Sequence, residues 1–219
     1  MNTPANASPA LELALNGISA LPQWGVIQAE GEDAASFLHN QLSNDVLLLP
    51  AGQSRLAAFC SAKGRMQASF IVVKTAPNTI LLVLSLDLLA QTLKRLSMFV
   101  LRAKVKLTDA TGQWQLRGLL GQSAHGLLGH AAPWHTVHVA GAFAVALYPC
   151  VLGNAQVPRA VWLAPTGQAL PEGPELPSDV WPWAEVMSGV TLLSQPVFEA
   201  FVPQMLNYES VGGVNFKKG

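Results

Sequence analysis

Charge is scarce in this chain of 219 residues: 13 Lys and Arg and 13 Asp and Glu make up 12% of it, about half the roughly 25% of an ordinary globular domain. Because half of the residues are hydrophobic, the scarcity excludes an intrinsically disordered chain, which needs low hydrophobicity and high charge. Long apolar runs are missing as well. The longest unbroken aliphatic stretch is Ile80 to Leu84, far short of the roughly 20 residues a membrane helix needs. The opening MNTPANASPALELALNG has no basic segment, no apolar core and no arginine, so neither a secretory signal nor a transit peptide is predicted. Cysteine is limited to Cys60 and Cys150, far apart and without a CxxC pair, which fits a reducing compartment rather than a disulfide framework. These absences predict a soluble cytoplasmic protein with no membrane partner.

Familiar chemical signatures are absent too. There is no Gly-x-Ser-x-Gly, and Cys60 lies in an apolar strand as a small hydrophobe. Gly118, Gly121, Gly126 and Gly129 follow a predicted strand but miss the dinucleotide spacing, and Gly212, Gly213 and Lys217-Lys218-Gly219 lack the Gly-Lys-Ser/Thr of a phosphate loop. Of five histidines, His135 and His138 stand three apart on a predicted strand, where odd spacing sends side chains to opposite faces. With no acid near them, no metal site is predicted.

What is present begins with an uneven charge distribution. Residues 1–54 sum to −5, residues 55–106 to +8 and residues 159–219 to −3. The basic segment suits an anionic partner, a polycarboxylate small molecule or nucleic acid; solvated strand ends are the plainer reading, and charge alone favours it.

Periodicity supplies the elements. Trp24 to Ala29 reads as a strand, and Asp33 to Leu42 as a helix with Ala34, Phe37, Leu38 and Leu42 on one face and acids in its first turn. Leu56 to Cys60 and Met66 to Lys74 read as strands joined by the turn at Ser61 to Gly64, and Thr79 to Ser85 as another. Asp87 is the expected N-cap of a helix carrying Leu89, Leu93, Leu96 and Val100, and Lys104 to Thr108 closes the set. A second pass runs through strand Gln113 to Leu120, helix Gln122 to Leu128, strands Trp134 to Val139, Phe143 to Leu147 and Arg159 to Ala164, a proline-rich loop over 165–182, and helix Val180 to Ser188 stopped by Gly189. Both passes resemble a decorated split βαβ unit. The expected fold is therefore α+β, with two ferredoxin-like lobes built on antiparallel sheets, the first over residues 24–109 and the second over 110–219.

Six tryptophans suggest a planar ligand. Trp24, Trp181 and Trp183 fall at element edges, where an indole can face one, although singly each is more often core.

The C-terminal residues are more specific. Trp181 to Gly189, Phe201-Val202-Pro203-Gln204-Met205-Leu206-Asn207, and Gly212-Gly213-Val214-Asn215-Phe216-Lys217-Lys218-Gly219 closely resemble the signature region of the YgfZ-type folate-binding proteins, relatives of the glycine-cleavage T-protein. WGVIQAEGEDAASFLHNQLSNDV and AAFCSAKGRMQASF resemble that family's opening strand–helix and its hairpin. The resemblance implies two ferredoxin-like lobes and a C-terminal β-barrel around a tetrahydrofolate site, and a role in maturing or repairing iron–sulfur enzymes, including tRNA-modifying ones. It also implies Trp24, Trp181, Gln204, Asn207, Lys217 and Lys218 as folate-binding residues, with indoles on the rings and bases on the glutamate tail.

Three departures qualify the expectation. The sequence stops at Gly219, just before the family's expected cysteine, so the thiol and the barrel are expected to be absent, leaving an uncovered surface prone to self-association. Gly64-Arg65-Met66-Gln67-Ala68 stands where T-proteins carry an aspartate pair, and Met187 where an acid often precedes the helix-ending glycine. The leading expectation is a non-catalytic, metal-free tetrahydrofolate-binding accessory protein whose partners are folate and iron–sulfur enzymes. A folate-dependent aminomethyl transferase ranks second. An RNA-binding ferredoxin-like module ranks last, since Phe59, Phe70 and Phe99 are the basic segment's only aromatics.

Overall fold

The computed structural model describes residues 15–218; the opening residues 1–14, read above as carrying no signal, and Gly219 of the signature lie outside them. The chain divides into two compact units, Pro22–Trp114 with Leu192–Gly219, and Met1–Leu21 with Gln115–Thr191. This division differs from a single cut near residue 110. The C-terminal segment belongs with the first lobe, and a short N-terminal strand, β1 (Gly17–Ala20), belongs with the second.

The first unit runs β2 (Trp24–Glu30), α1 (Ala34–Gln41), β3 (Gln53–Cys60), β4 (Met66–Ala76), β5 (Thr79–Ser85), α2 (Leu86–Ser97) and β6 (Lys106–Asp109). Its sheet has the order β3-β4-β5-β2-β6, antiparallel at every pairing. Without the outer β3, the order β6-β2-β5-β4 is that of the split βαβ unit. Ile80 to Leu84 are all buried, so the aliphatic pentad is a central strand covered on both faces. Ser85, not Asp87, occupies the N-cap of α2. Asp87 lies in the first turn, where the helix dipole favours an acid, and its Oδ2 accepts the Gln195 N–H at 3.0 Å. The acids expected inside α1 precede it instead: Lys104 donates its backbone N–H to Asp33 at 2.7 Å and its Nζ to Glu32 at 2.8 Å.

The second unit adds β7 (Trp114–Leu120), α3 (Gln122–Leu128), β8 (Thr136–Val139), β9 (Ala142–Leu152), β10 (Ala155–Pro165) and α4 (Val180–Met187) to β1. Its strand order is β1-β7-β10-β9-β8, with antiparallel registers between β1 and β7, β9 and β10, and β8 and β9. The arrangement repeats that of the first unit, with β1 in the place of β6. Gly189, at φ +70°, follows α4 as the expected helix stop. Among the described residues no strands close into a barrel, and no helix is long and apolar enough to cross a membrane.

Candidate functional site

Strand alternation gives the first sheet two distinct faces. Gly25 faces α2 so closely that a Cβ there would stand 2.5 Å from Leu89 Cδ1, and the leucine would have to move to admit one. Trp24 and Val26 therefore point to the opposite face, together with Ser69 and Leu56 through the β2–β5–β4–β3 registers.

That opposite face receives the C-terminal segment. The Leu193 N–H donates to Ser69 Oγ at 2.6 Å. The Met66 N–H donates to the Phe201 carbonyl at 2.8 Å, and the Glu199 N–H to the Met66 carbonyl at 2.9 Å. Tyr208 is fully buried, and Gly213 lies against it and Leu56 with room for no Cβ. Two 3-10 turns, Gln195–Val197 and Pro203–Leu206, shape the segment between these anchors.

The turn after α1 locks the end of the signature. Ser43 Oγ donates to the Gly213 carbonyl at 2.6 Å, and Asn44 Nδ2 to the Gly212 and Leu56 carbonyls at 2.7 and 2.8 Å. The Asn215 N–H donates to the Ser43 carbonyl at 3.0 Å. Lys218 Nζ donates to the carbonyls of His39 and Leu42, at the end of α1 where a cation complements the dipole. Buried Asp45 accepts the Leu48 N–H at 2.9 Å and faces His39 Nδ1 at 3.2 Å. Burial alone raises its carboxyl; the Leu48 N–H, His39 and Arg55 outweigh that and hold it below the ordinary value. Burial lowers the Lys218 ammonium, with Asp45 opposing.

In the second unit the other tryptophan of the expected site is enclosed. Trp181 has no exposed surface. Gly118 abuts its ring, where a Cβ would lie 2.4 Å away, and the Arg159 guanidinium carbon stands 4.8 Å from a ring centroid. Leu119, one residue on, packs with Ala124 of α3 on the opposite face, so α3 and α4 cover different faces of this sheet. Burial pushes Arg159 down to about 10, against the pull of Glu185 and Cys150. Burial also raises the Glu185 carboxyl, with Arg159 opposing.

Trp24, Gln204, Asn207, Lys217 and Lys218 thus fall in the first unit and Trp181 in the second. Trp24 is 5% exposed. Gln204, Asn207 and Lys217 are exposed, and Asn207 adopts φ +55° to close the second 3-10 turn. Trp183 is 40% exposed. Sequence reasoning singled out none of Ser43, Asn44, Asp45, Tyr208 or Arg159 as a site residue; the first three lie in the LHNQLSNDV stretch that carries the family resemblance. Among the described residues no cluster of three or more His, Cys, Asp or Glu could hold a metal.

Comparison with known proteins places this architecture. The chain is 26% identical over 201 residues to an uncharacterized protein of Haemophilus influenzae, covering 91% of this chain and 63% of that protein. It is 26% identical over 204 residues to the tRNA-modifying protein YgfZ of Colwellia psychrerythraea, covering 91% and 62%. The chain therefore spans a little over three fifths of the length of these relatives. Among solved structures, the glycine cleavage system aminomethyltransferase T of Bartonella henselae matches with a TM-score of 0.57 at 19% identity, over 72% of this chain and 44% of that one; this similarity concerns the fold. Residues 16–145 match the GCVT N-terminal domain, and the chain belongs to that family.

Proposed function

We propose that the chain is the tetrahydrofolate-binding part of a YgfZ-type accessory protein that supports tRNA modification through iron–sulfur enzymes. The observation that carries this reading is the seating of the 192–218 signature on the sheet face that also bears Trp24, with Ser43, Asn44 and Lys218 fixing its end. A segment anchored by so many backbone contacts presents its remaining polar groups in fixed positions.

Those groups fit one part of a folate better than another. Exposed Gln204, Asn207 and Lys217 suit the amide and carboxylates of its glutamate tail. Lys218 is committed to the α1 carbonyls and holds the segment that displays Lys217. Trp181 is fully buried, with Gly118 against its ring and the Arg159 guanidinium beside it, so it supports the shape of α4 before it supports a ligand. Bound tetrahydrofolate would supply a one-carbon carrier. The hairpin argues against aminomethyl transfer in this chain: Gln67, Ala68 and Ser69 offer no carboxylate, and Ser69 Oγ already accepts the Leu193 N–H.

Calorimetric titration with mono- and polyglutamylated tetrahydrofolate tests the reading. The expected result is saturable binding, tighter for the polyglutamate, weakened about three- to tenfold by Lys217→Ala, the range of a charge-assisted contact. Absence of binding would overturn it, and turnover in an aminomethyl-transfer assay would move the chain to the enzyme class.

A further inference from the structure

The α2 side of the first sheet holds a cavity of about 310 Å³, lined by Phe59, Gln67, Gln91, Thr92, Arg95 and Phe198. All six belong to the first unit. Phe59 shares the face of Gly25 through the β3–β4–β5–β2 registers, so this cavity lies across the sheet from Trp24.

Its lining is organised. Thr92 is 2% exposed, and its hydroxyl has no hydrogen-bond partner among the described residues. A buried hydroxyl without a partner is costly, and a ligand atom would relieve it. Gln67 Nε2 donates to Glu199 at 2.7 Å and Gln91 Nε2 donates to Gln195. Each amide keeps its carbonyl oxygen and a second N–H that these bonds do not use. Phe59 and Phe198 supply apolar wall. Arg95 stands exposed at the rim, its guanidinium carbon 5.4 Å from the Phe99 centroid, with no carboxylate partner among the described residues.

Aromatic walls accept the flat face of a base. A glutamine amide presents C=O and N–H side by side, the complement of an adenine edge, which pairs a donor with an acceptor. A guanidinium at the rim matches a phosphate. We propose that this cavity binds a purine nucleoside monophosphate, adenine being the best-matched base, with Gln67 and Gln91 reading the base, Thr92 meeting a polar atom at depth and Arg95 holding the phosphate. A free nucleotide and an adenosine at the end of an RNA strand share this chemistry. The inference stands apart from the folate reading, which uses Gln204, Asn207 and Lys217 farther along the segment that lends Phe198 to this cavity.

Titration of the whole chain with AMP, followed by calorimetry and ligand-observed NMR, tests it. AMP is expected to bind saturably, and Gln91→Leu and Arg95→Ala each to weaken it about tenfold, the scale of one good polar contact. Arg95→Ala should leave adenosine binding unchanged, and ribose 5-phosphate should bind more weakly than AMP. Thr92→Val should weaken AMP binding without lowering the melting temperature, because it removes an unsatisfied group; this separates a ligand role from a folding role. A short single-stranded oligoadenylate that binds more tightly than AMP assigns the site to RNA, and equal or weaker binding assigns it to the free nucleotide. No saturation with AMP up to about 10 mM, weaker than any specific site of this kind, overturns the proposal. So does AMP affinity unchanged in all three variants. Tetrahydrofolate binding is expected to be unaffected by them, so the two readings fail separately.

Discussion

On the α2-facing side of the first unit, β4, β5 and β2 carry Phe70, Val72, Leu82, Leu84 and Ile27, all buried. The topologically matching β9 and β10 of the second unit carry Ala142, Ala144, Ala146, Ala160 and Ala164 against α3, with Trp162 and Leu119 supplying the bulk. One strand order is thus filled in two ways. Long aliphatic side chains in the first unit meet a 12-residue helix, whereas a floor of alanines meets the seven-residue α3. The lesson is that topology tolerates either packing provided volume is conserved across the layer. Each unit should therefore be sensitive to the opposite kind of change.

The largest effect is expected from emptying the α3-facing core of the second unit at Trp162. Trp162→Ala should cost about 3–5 kcal/mol, against about 2–5 for Leu82→Ala in the first unit, read from urea unfolding followed in each unit. Overfilling should hurt only the alanine floor: Ala144→Leu is expected to cost about 1–3 kcal/mol by forcing α3 outward. Ala144 pairs directly with Trp162, so the double variant should be less destabilised than the sum of the singles. Strict additivity would break the argument that the alanines exist to accommodate that ring.

A smaller contrast concerns acid. The turn after α1 buries Asp45, whereas the matching region after α3 has no acid between residues 129 and 135, and its His130 sits 5.0 Å between ring centroids from His125 of α3. The folded-state pKa of Asp45 is depressed, so its contribution is fully present above the ordinary aspartate value of 3.8 and is lost as pH falls through the lower folded value. Acid should therefore loosen the first unit at this turn. Asp45→Asn should flatten the decline in thermal stability below about pH 4. Asp45→Ala should cost about 1.5–3 kcal/mol at neutral pH, the range for hydrogen bonds to a charged group. An unchanged acid limb in Asp45→Asn would remove Asp45 as its source.

Much of this comparison was legible in the sequence. The alternation and turns of residues 24–30, 53–85 and 114–165 gave nearly every strand, because strand burial has a period the chain records locally. Strand β1 escaped because four residues, GISA, carry too little periodicity. Assignment of residues 192–218 to the first lobe depended on long-range hydrogen bonds to Ser43, Asn44, Met66 and Ser69, which no local pattern encodes. Trp181 could be placed on a helix, but its enclosure depends on Gly118 and Arg159 arriving from two other strands. Arg159, flanked by Pro158 and Ala160, has the sequence look of a solvated strand position, and its burial becomes visible only with the ring beside it.

The smallest expected effect uses the two cysteines, one in each unit, as reporters. Burial pushes the Cys60 thiol up to about 11; it also raises Cys150, with Arg159 partly opposing. Cys60, at the end of β3, is half-buried, and Cys150, within β9, has no exposed surface. A disulfide reagent reacts with the thiolate, so at pH 8 only about one Cys60 in a thousand is reactive, and its rate should climb about tenfold per pH unit toward 11. Cys150 must wait for β9 to open, and its rate should follow the local stability of the second unit instead. Cys60 should therefore label first in the native chain, and both should label at once in urea. Ala144→Leu, which strains only the second core, should speed Cys150 labelling and leave Cys60 unchanged. If Cys150 labels first, its burial in β9 is not what limits it; if Ala144→Leu accelerates both thiols equally, the two units open together, and the division into independently packed cores fails as an account of their stability.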